Sequence, residues 1–320
     1  FGEYGFPESH AASFALLVYA SSWIKCHFHD VFCAAILNSQ PMGFYAPAQL
    51  VRDARAHEVE VREAAINHSH WDNTLEEHES GGFAVRLGFR QLDGLPKEAM
   101  KAFVATRGNQ PLTSMEDARR CGLSVALLER LAAGDAFRSL GLDRRQALWA
   151  VRGLMSDAPL ALFDAAKADP TGEDVPVRLP PMALGEHVVA DYQTLRLSLK
   201  AHPVSFLRAQ YEAQRMIPAE GLFLARHGQR VRYAGVVLVR QKPGTAKGVV
   251  FMTLEDETGT ANIVVWNKMV QRYRRVVMQA RLVEVVGEVQ RKDDVIHIVA
   301  HRLIDRTADL DVLSDETLPE

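Results

Sequence analysis

The sequence predicts a multi-domain α+β chain. Three observations carry this. The first half repeats apolar residues at helical spacing in short pieces. The last third switches to β-branched, alternating runs. Between them lies a stretch rich in Ala, Pro, Asp and Gly, with Pro159, Pro170, Pro176, Pro180 and Pro181 breaking regular structure. The 320 residues suit two or three domains. The divisions fall at 1–66 (helical), 67–153 (helical repeats), 154–220 (linker and a helical piece), 221–305 (strands) and 306–320 (an acidic tail).

In order along the chain, Ser9 is placed to cap a helix reaching about Phe28, on which Phe14, Leu17, Val18, Ser21 and Ile24 recur at helical spacing. Asp30 is placed to cap a second helix through Leu37, closed by Gln40-Pro41-Met42-Gly43. A third runs from Pro47 to His57. Val59 to Arg62 and Phe83 to Leu87 alternate as short strands around a Gly81-Gly82 turn. LDGLPKEAMKAFVATR, Leu92 to Arg107, is a tight Gly turn entering a helix, with Pro96 in the first turn. A looser second copy follows: a helix from Ser124 to Ala133, then Gly134 to Phe137, then SLGLDRRQALWAVRGL. Residues 186–217 add one helical piece. RVRYAGVVLVRQ, GVVFMTLED, ANIVVW, RLVEVVGEV and VIHIVAHRLI then give five strands, with a helical stretch Asn267 to Val277 between the third and fourth. That is the pattern of an OB-fold barrel. The turn Asp256-Glu257-Thr258-Gly259 joins strands two and three, and the tail after Asp305 reads as disordered.

Composition narrows the function. Hydrophobic residues make up 48% and charged residues 24%, and the net charge is −3. This is an ordinary globular balance. Cys26, Cys33 and Cys121 have no paired spacing, which predicts a reducing, cytoplasmic setting. No signal peptide is visible. The apolar run Ala11 to Ile24 is shorter than a membrane span, so no membrane partner is expected and a buried helix is. There is no P-loop, GxSxG or HExxH, and no paired carboxylates arranged for two magnesium ions.

Charge distribution carries the first functional signal. Residues 221–305 hold fourteen arginines and lysines against eight acids inside a net acidic chain. A basic small barrel with exposed rings suits single-stranded nucleic acid, its cations tracking phosphates and its rings stacking bases. The DNA-binding candidates here are Arg240, Lys242, Lys247, Phe251, Trp266 and Lys268, with Tyr233 a further candidate ring. The second signal is the Gly turn of a helix-hairpin-helix, which leaves helix amides free for a DNA phosphate; Gly94, Leu95 and Lys97 are its candidates. In the cluster Cys26, His27, His29 and Cys33, one continuous helix would put Cys26, His29 and Cys33 on one face, but no fourth ligand is obvious and Asp30 starts a new helix among them, so no metal site is assigned. Pro159 to Phe163 is a short apolar motif in the linker, read as packing locally rather than in a partner's groove.

FGEYGFPESHAASFALLVYASSWIKCHFHDVFCAAILNSQPMGFY closely resembles the fingers region of bacterial C-family DNA polymerases. PESHAASFALLVYASSWIK, NSQPMGFY and DAFRSLGLDRRQALW resemble its error-prone, damage-tolerance branch. The hairpin segment, LKAHPVSFLR and the basic barrel follow in the family's order, so the resemblance covers nearly the whole chain. It implies that 1–66 is the end of the fingers, followed by a tandem helix-hairpin-helix domain and the OB-fold. It implies template-directed DNA synthesis by a longer protein, with Mg2+ held by palm aspartates outside these residues. It also implies that the chain alone binds no cofactor and is inactive. Ser9 and His10 then lie near the nucleotide. The implied partners are primer-template and single-stranded DNA, and a sliding clamp or accessory mutagenesis proteins. The family's clamp-binding peptide falls at Pro159 to Phe163, where Pro159 replaces the expected Gln. His29 stands where relatives usually carry Pro, and Glu8 where replicative members usually carry Lys. The rival expectation is a stand-alone, non-catalytic adaptor for DNA or tRNA.

Overall fold

The computed structural model describes residues 8–43, 46–79, 81–154, 179–293 and 295–314; at Glu8 and Ser9 it describes the backbone only. The chain forms two compact units, 1–182 with 190–199, and 183–189 with 200–320. The linker motif Pro159 to Phe163 and the last six residues lie outside the described residues.

The first unit opens with helices α1 (Glu8–His27), α2 (His29–Asn38) and α3 (Pro47–Ala56). Ser9 falls inside the first turn of α1 instead of capping it. Phe28 occupies the N-cap position of α2, and Asp30 sits in its first turn. The Asp30 carboxylate accepts from the amides of Val31 and Phe83 at 2.8 and 3.1 Å, pinning α2 to the following sheet. The expected burial of α1 is not observed. Leu16, Leu17, Val18 and Tyr19 are 60–71% exposed; among the described residues it is the end of the helix, through Trp23 on Phe28 and Lys25 on Asp53, that meets the rest of the unit.

Strands β1 (Val61–Arg62), β2 (Thr74–Glu77) and β3 (Phe83–Arg86) form a small sheet in the order β1-β3-β2. β1 is parallel to β3, and β2 antiparallel to it. Glu76 binds both Arg62 and Arg86 across this sheet at 2.7–2.9 Å. Hydrogen bonds from Arg86 first, and then from Arg62, outweigh desolvation and hold the Glu76 carboxyl at a pKa of about 2.

Helices α4 (Lys97–Arg107), α5 (Met115–Arg120), α6 (Val125–Ala133) and α7 (Arg144–Gly153) complete the unit. Their apolar faces join those of α2 and α3 in one cluster from Cys33 to Leu197, with Phe89, Met100, Phe103, Leu128, Leu131 and Phe137 inside it. The sequence division at 66/67 lies within this continuous core. Helix α8 (Leu184–Thr194) brings Asp191 against Arg144, both nearly fully buried.

The second unit is a closed barrel of β4 (Arg230–Gln241), β5 (Val250–Asp256), β6 (Gly259–Val265), β7 (Leu282–Lys292) and β8 (Val295–Asp305), ordered β4-β5-β6-β8-β7. β6 and β8 pair in parallel; the other pairs are antiparallel. This is the five-stranded OB arrangement, closed so that no edge remains. Inward residues such as Tyr233, Met252, Leu254, Ile263 and Val285 fill it. Tyr233, a candidate ring in the sequence, is therefore core. Helices α10 (Asn267–Arg272) and α11 (Arg274–Gln279) pack Val277 into the barrel between β6 and β7.

Helix α9 (Arg208–Ala213) buries Tyr211, whose hydroxyl donates to Asp309 at 3.0 Å. Asp309 belongs to a 3-10 stretch, Thr307–Ser314, where the sequence suggested a disordered tail. Leu313 in that stretch is 2% exposed, and Arg306 joins it to Glu284. Its apolar residues and specific polar contacts outweigh its acidic composition.

Candidate nucleic-acid interface

Three turns of the first unit share one geometry. Gly94, Gly122 and Gly141 all have positive φ, at +79°, +95° and +74°, a conformation that costs glycine little. Each is followed by an anchoring leucine and an extended N-cap residue: Leu95 and Pro96 before α4, Leu123 and Ser124 before α6, Leu142 and Asp143 before α7. Leu95 and Leu123 are buried, so each side chain anchors its turn in the core. Pro96 is itself the N-cap, one position before the expected first turn.

The turns differ in what occupies their helix amides. At α7 the Asp143 carboxylate accepts from Gln146 N–H at 2.8 Å, and the Gln146 side chain answers at the Asp143 amide. That capping box places a negative charge where a phosphate would sit. The N-caps of α4 and α6 make no side-chain hydrogen bond, so their first-turn amides are open to an anion. The turn at Gly122, which the sequence reading did not single out, is therefore the better match to Gly94 than the SLGLD turn. The repeated Gly-Leu before a capping residue was its visible signal.

Lys97 is exposed at the start of α4. A second cation, Arg130 of α6, donates to Gly94 O at 2.7 Å, and a Cβ at Gly94 would stand 1.5 Å from its Nη1. Nothing local in the sequence pairs Arg130 with a turn 36 residues away; only the packing of α6 does.

In the barrel, register brings several candidates together. Phe251 stands opposite Gln241 on β4 and Val264 on β6. Trp266 follows Val264 by two residues and so shares its face. Phe251 is 39% and Trp266 55% exposed. Lys242 and Lys247 lie in the β4–β5 loop that ends beside Phe251, and both are exposed. Gly248 of that loop approaches Asn267, where an added Cβ would lie 2.9 Å from the side chain, so Lys247 neighbours the start of α10 and Lys268. Lys242, Lys247 and Lys268 make no ion pair among the described residues.

Arg240 departs from expectation. Its guanidinium donates to Val277 O at 2.7 Å and to Ala280 O, closing the last turn of α11. Desolvation lowers its pKa. It serves the fold by closing the end of α11, although the residue itself stays exposed.

His10 is exposed, with its ring edge-on to Phe14 at 4.4 Å. Cys26 and Cys33 sit on different helices, Cys26 exposed and Cys33 buried. Burial, with the Asp53 charge nearby, pushes the Cys33 thiol up to about 12. Among the described residues no group of three or more His, Cys, Asp or Glu is placed to hold a metal ion. The buried carboxylates have other partners: Asp256 takes Arg208 and the amides of Ala219 and Thr258, and Glu284 takes Arg232 and Arg306.

Two family models match the chain in this order: one described as a helix-hairpin-helix motif over residues 58–147, the other as an OB-fold nucleic acid binding domain over 231–305. An error-prone DNA polymerase of Rhodopseudomonas palustris (strain BisB5) is 54% identical over 98% of this chain. One from Brucella abortus biovar 1 is 54% identical over 97%, and error-prone DNA polymerase 1 of Rhizobium meliloti 52% identical over 99%. Over nearly its whole length the chain is similar to proteins named error-prone DNA polymerase. It spans 30%, 29% and 30% of the length of these three relatives, and the matched part is their C-terminal part. Among solved structures, an asparaginyl-tRNA synthetase from Pyrococcus horikoshii aligns over 28% of this chain and 22% of its own, with 19% identity and a TM-score of 0.25, too low to support any inference. No helix among the described residues is long and apolar enough to cross a membrane.

Proposed function

We propose that this chain is the DNA-handling part of an error-prone DNA polymerase, one that extends primers across damaged template during damage-induced mutagenesis. The observation that carries the reading is the barrel face where Phe251 and Trp266 are exposed together beside the unpaired Lys242, Lys247 and Lys268. Rings of this kind stack bases without reading sequence, and the lysines neutralise the backbone between them. The turns at Gly94 and Gly122, with Lys97 and Arg130 beside the first, supply amides for the phosphates of primer-template duplex. Residues 1–66 are the end of the fingers, with His10 facing the nucleotide, and the exposed face of α1 is covered by the remainder of the longer protein. Mg2+ and its carboxylate ligands belong to that remainder, which performs nucleotidyl transfer in the cytoplasm. A sliding clamp or accessory mutagenesis proteins are its further partners.

The test is fluorescence anisotropy of the 320-residue chain with single-stranded and primer-template DNA over a salt series. Binding that weakens steeply with salt, and that Phe251→Ala with Trp266→Ala reduces by about 1–3 kcal/mol per stacked base, supports the reading. A salt-independent response, or unchanged affinity in the double variant, refutes it. The chain alone with Mg2+ and deoxynucleotides gives no primer extension; measurable extension would place the catalytic carboxylates within it.

A further inference from the structure

The helix pair α10–α11 carries a charge pattern that barrel closure does not require. From Asn267 to Arg281 there are five basic residues, Lys268, Arg272, Arg274, Arg275 and Arg281, and no acid. The pair's apolar residues Met269, Val270, Tyr273, Val276 and Val277 face the barrel. Lys268, Arg272, Arg274 and Arg275 face solvent. Arg275 is partly answered by Asp305. Arg272 lies over the Tyr273 ring at 5.5 Å, and neither it nor Arg274 has a carboxylate partner among the described residues. Lys268 and Arg272 stand four residues apart on one helix, so they repel unless an anion lies over them.

This row is continuous with the stacking face. Trp266 is both the last exposed ring after β6 and the N-cap of α10, and the β4–β5 loop touches Asn267 through Gly248. We propose that α10–α11 is a second, phosphate-tracking segment of the single-strand path, which leaves the β5–β6 face at Trp266 and continues over Lys268, Arg272 and Arg274. The proposal rests on the barrel being a single-strand site. Adjacency to exposed rings favours a nucleic-acid strand over an acidic peptide, because charge alone would serve a peptide.

The path predicts a length dependence. OB-folds engage about 4–16 nucleotides, so oligothymidylates of roughly 6 and 16 nucleotides separate the short face from the extended path. The full chain and its Arg272→Gln/Arg274→Gln variant are titrated with both over a salt series, with thermal melts as a folding control. The variant binds the short strand as the wild type does. For the long strand its affinity falls and its salt slope flattens by about 1.4, the loss of two single-strand phosphate contacts. Arg272→Lys/Arg274→Lys restores the slope. Equal long-strand binding by the glutamine variant and the wild type overturns the extended path while leaving the barrel face intact. Loss of both strands in a folded variant overturns it too. Wild type that binds neither strand removes the underlying reading as well. Polyglutamate bound through these arginines, with the long strand unaffected, assigns the surface to an acidic peptide and overturns it.

Discussion

Removing one carboxylate from the barrel unit should loosen its C-terminal seal. Glu284 has a fully buried side chain and accepts from Arg232 at 2.7 and 3.0 Å and from Arg306 at 2.6 and 2.9 Å. Both arginines also reach Gln214, and Arg306 approaches Asp309 at 3.8 Å. Glu284→Ala leaves two guanidiniums facing a buried gap. Truncating one partner of a buried pair costs about 3–5 kcal/mol. Arg232 and Arg306 keep 37% and 23% of their side-chain surface in water, which screens part of that cost. We expect roughly 2–3 kcal/mol after that discount. For a unit of this size that lowers its melting midpoint by about 10 °C. Differential scanning calorimetry reads the midpoint, and limited proteolysis near Thr307–Ser314 reads release of the 3-10 stretch. Replacing the whole triad with apolar residues, Glu284→Met with Arg232→Met and Arg306→Leu, should recover most of the loss, because no charge is stranded. A drop below about 2 °C in Glu284→Ala, or a triad variant as weak as the single one, refutes the reasoning.

Three further outcomes follow from the first unit. Asp143→Ala removes the α7 capping box and costs about 1 kcal/mol in chemical denaturation, yet leaves DNA affinity undiminished, since that turn holds no phosphate. Lys97→Gln weakens duplex binding across all sequences and lowers the salt slope by about 0.9, read by anisotropy with two unrelated duplexes. Glu76 is depressed to about 2 in the fold, so its contribution is present above the ordinary carboxylate range and lost as pH falls from about 4.3 toward 2. Melts across that window should fall more steeply for the wild type than for Glu76→Gln.

The barrel was legible because its strands are long, alternate cleanly and are joined at Asp256 to Gly259 by a turn the sequence displays. Strand β2 was not, since Thr74-Leu75-Glu76-Glu77 shows no apolar alternation; it is held by Glu76 between two arginines distant in sequence. Helix α5 is only six residues long, too short for periodicity, although its Ser114–Asp117 capping box was readable. The tail misled because composition counts its acids and not the specific fit of Asp309 to Tyr211. Lys242, Lys247, Phe251, Trp266 and Lys268 were picked by residue type, and the structure leaves all five exposed. Arg130 and Arg240 could not be read from residue type for one reason: each donates to a backbone carbonyl that only the fold brings to it.

That reason reshapes the electrostatic argument. Fourteen cations in residues 221–305 suggest a barrel coated in positive charge. Many are already engaged: Arg232 by Glu284, Arg240 by the end of α11, and Arg291 by Phe223 O. Arg230 stands opposite Glu288 across β4 and β7. Lys242, Lys247, Lys268, Arg272 and Arg274, on the β4–β5 loop and α10–α11, are among those with no carboxylate partner in the described residues, as are Arg226, Arg281, Lys292 and Arg302; the first five are the ones nearest in sequence to the exposed rings Phe251 and Trp266. The same reasoning applied to the hairpins retains Gly94 and Gly122 and rejects Gly141, whose helix already carries its own anion. A phosphate binds where the protein has left a donor unanswered, so the cations that matter are those the fold does not use for itself.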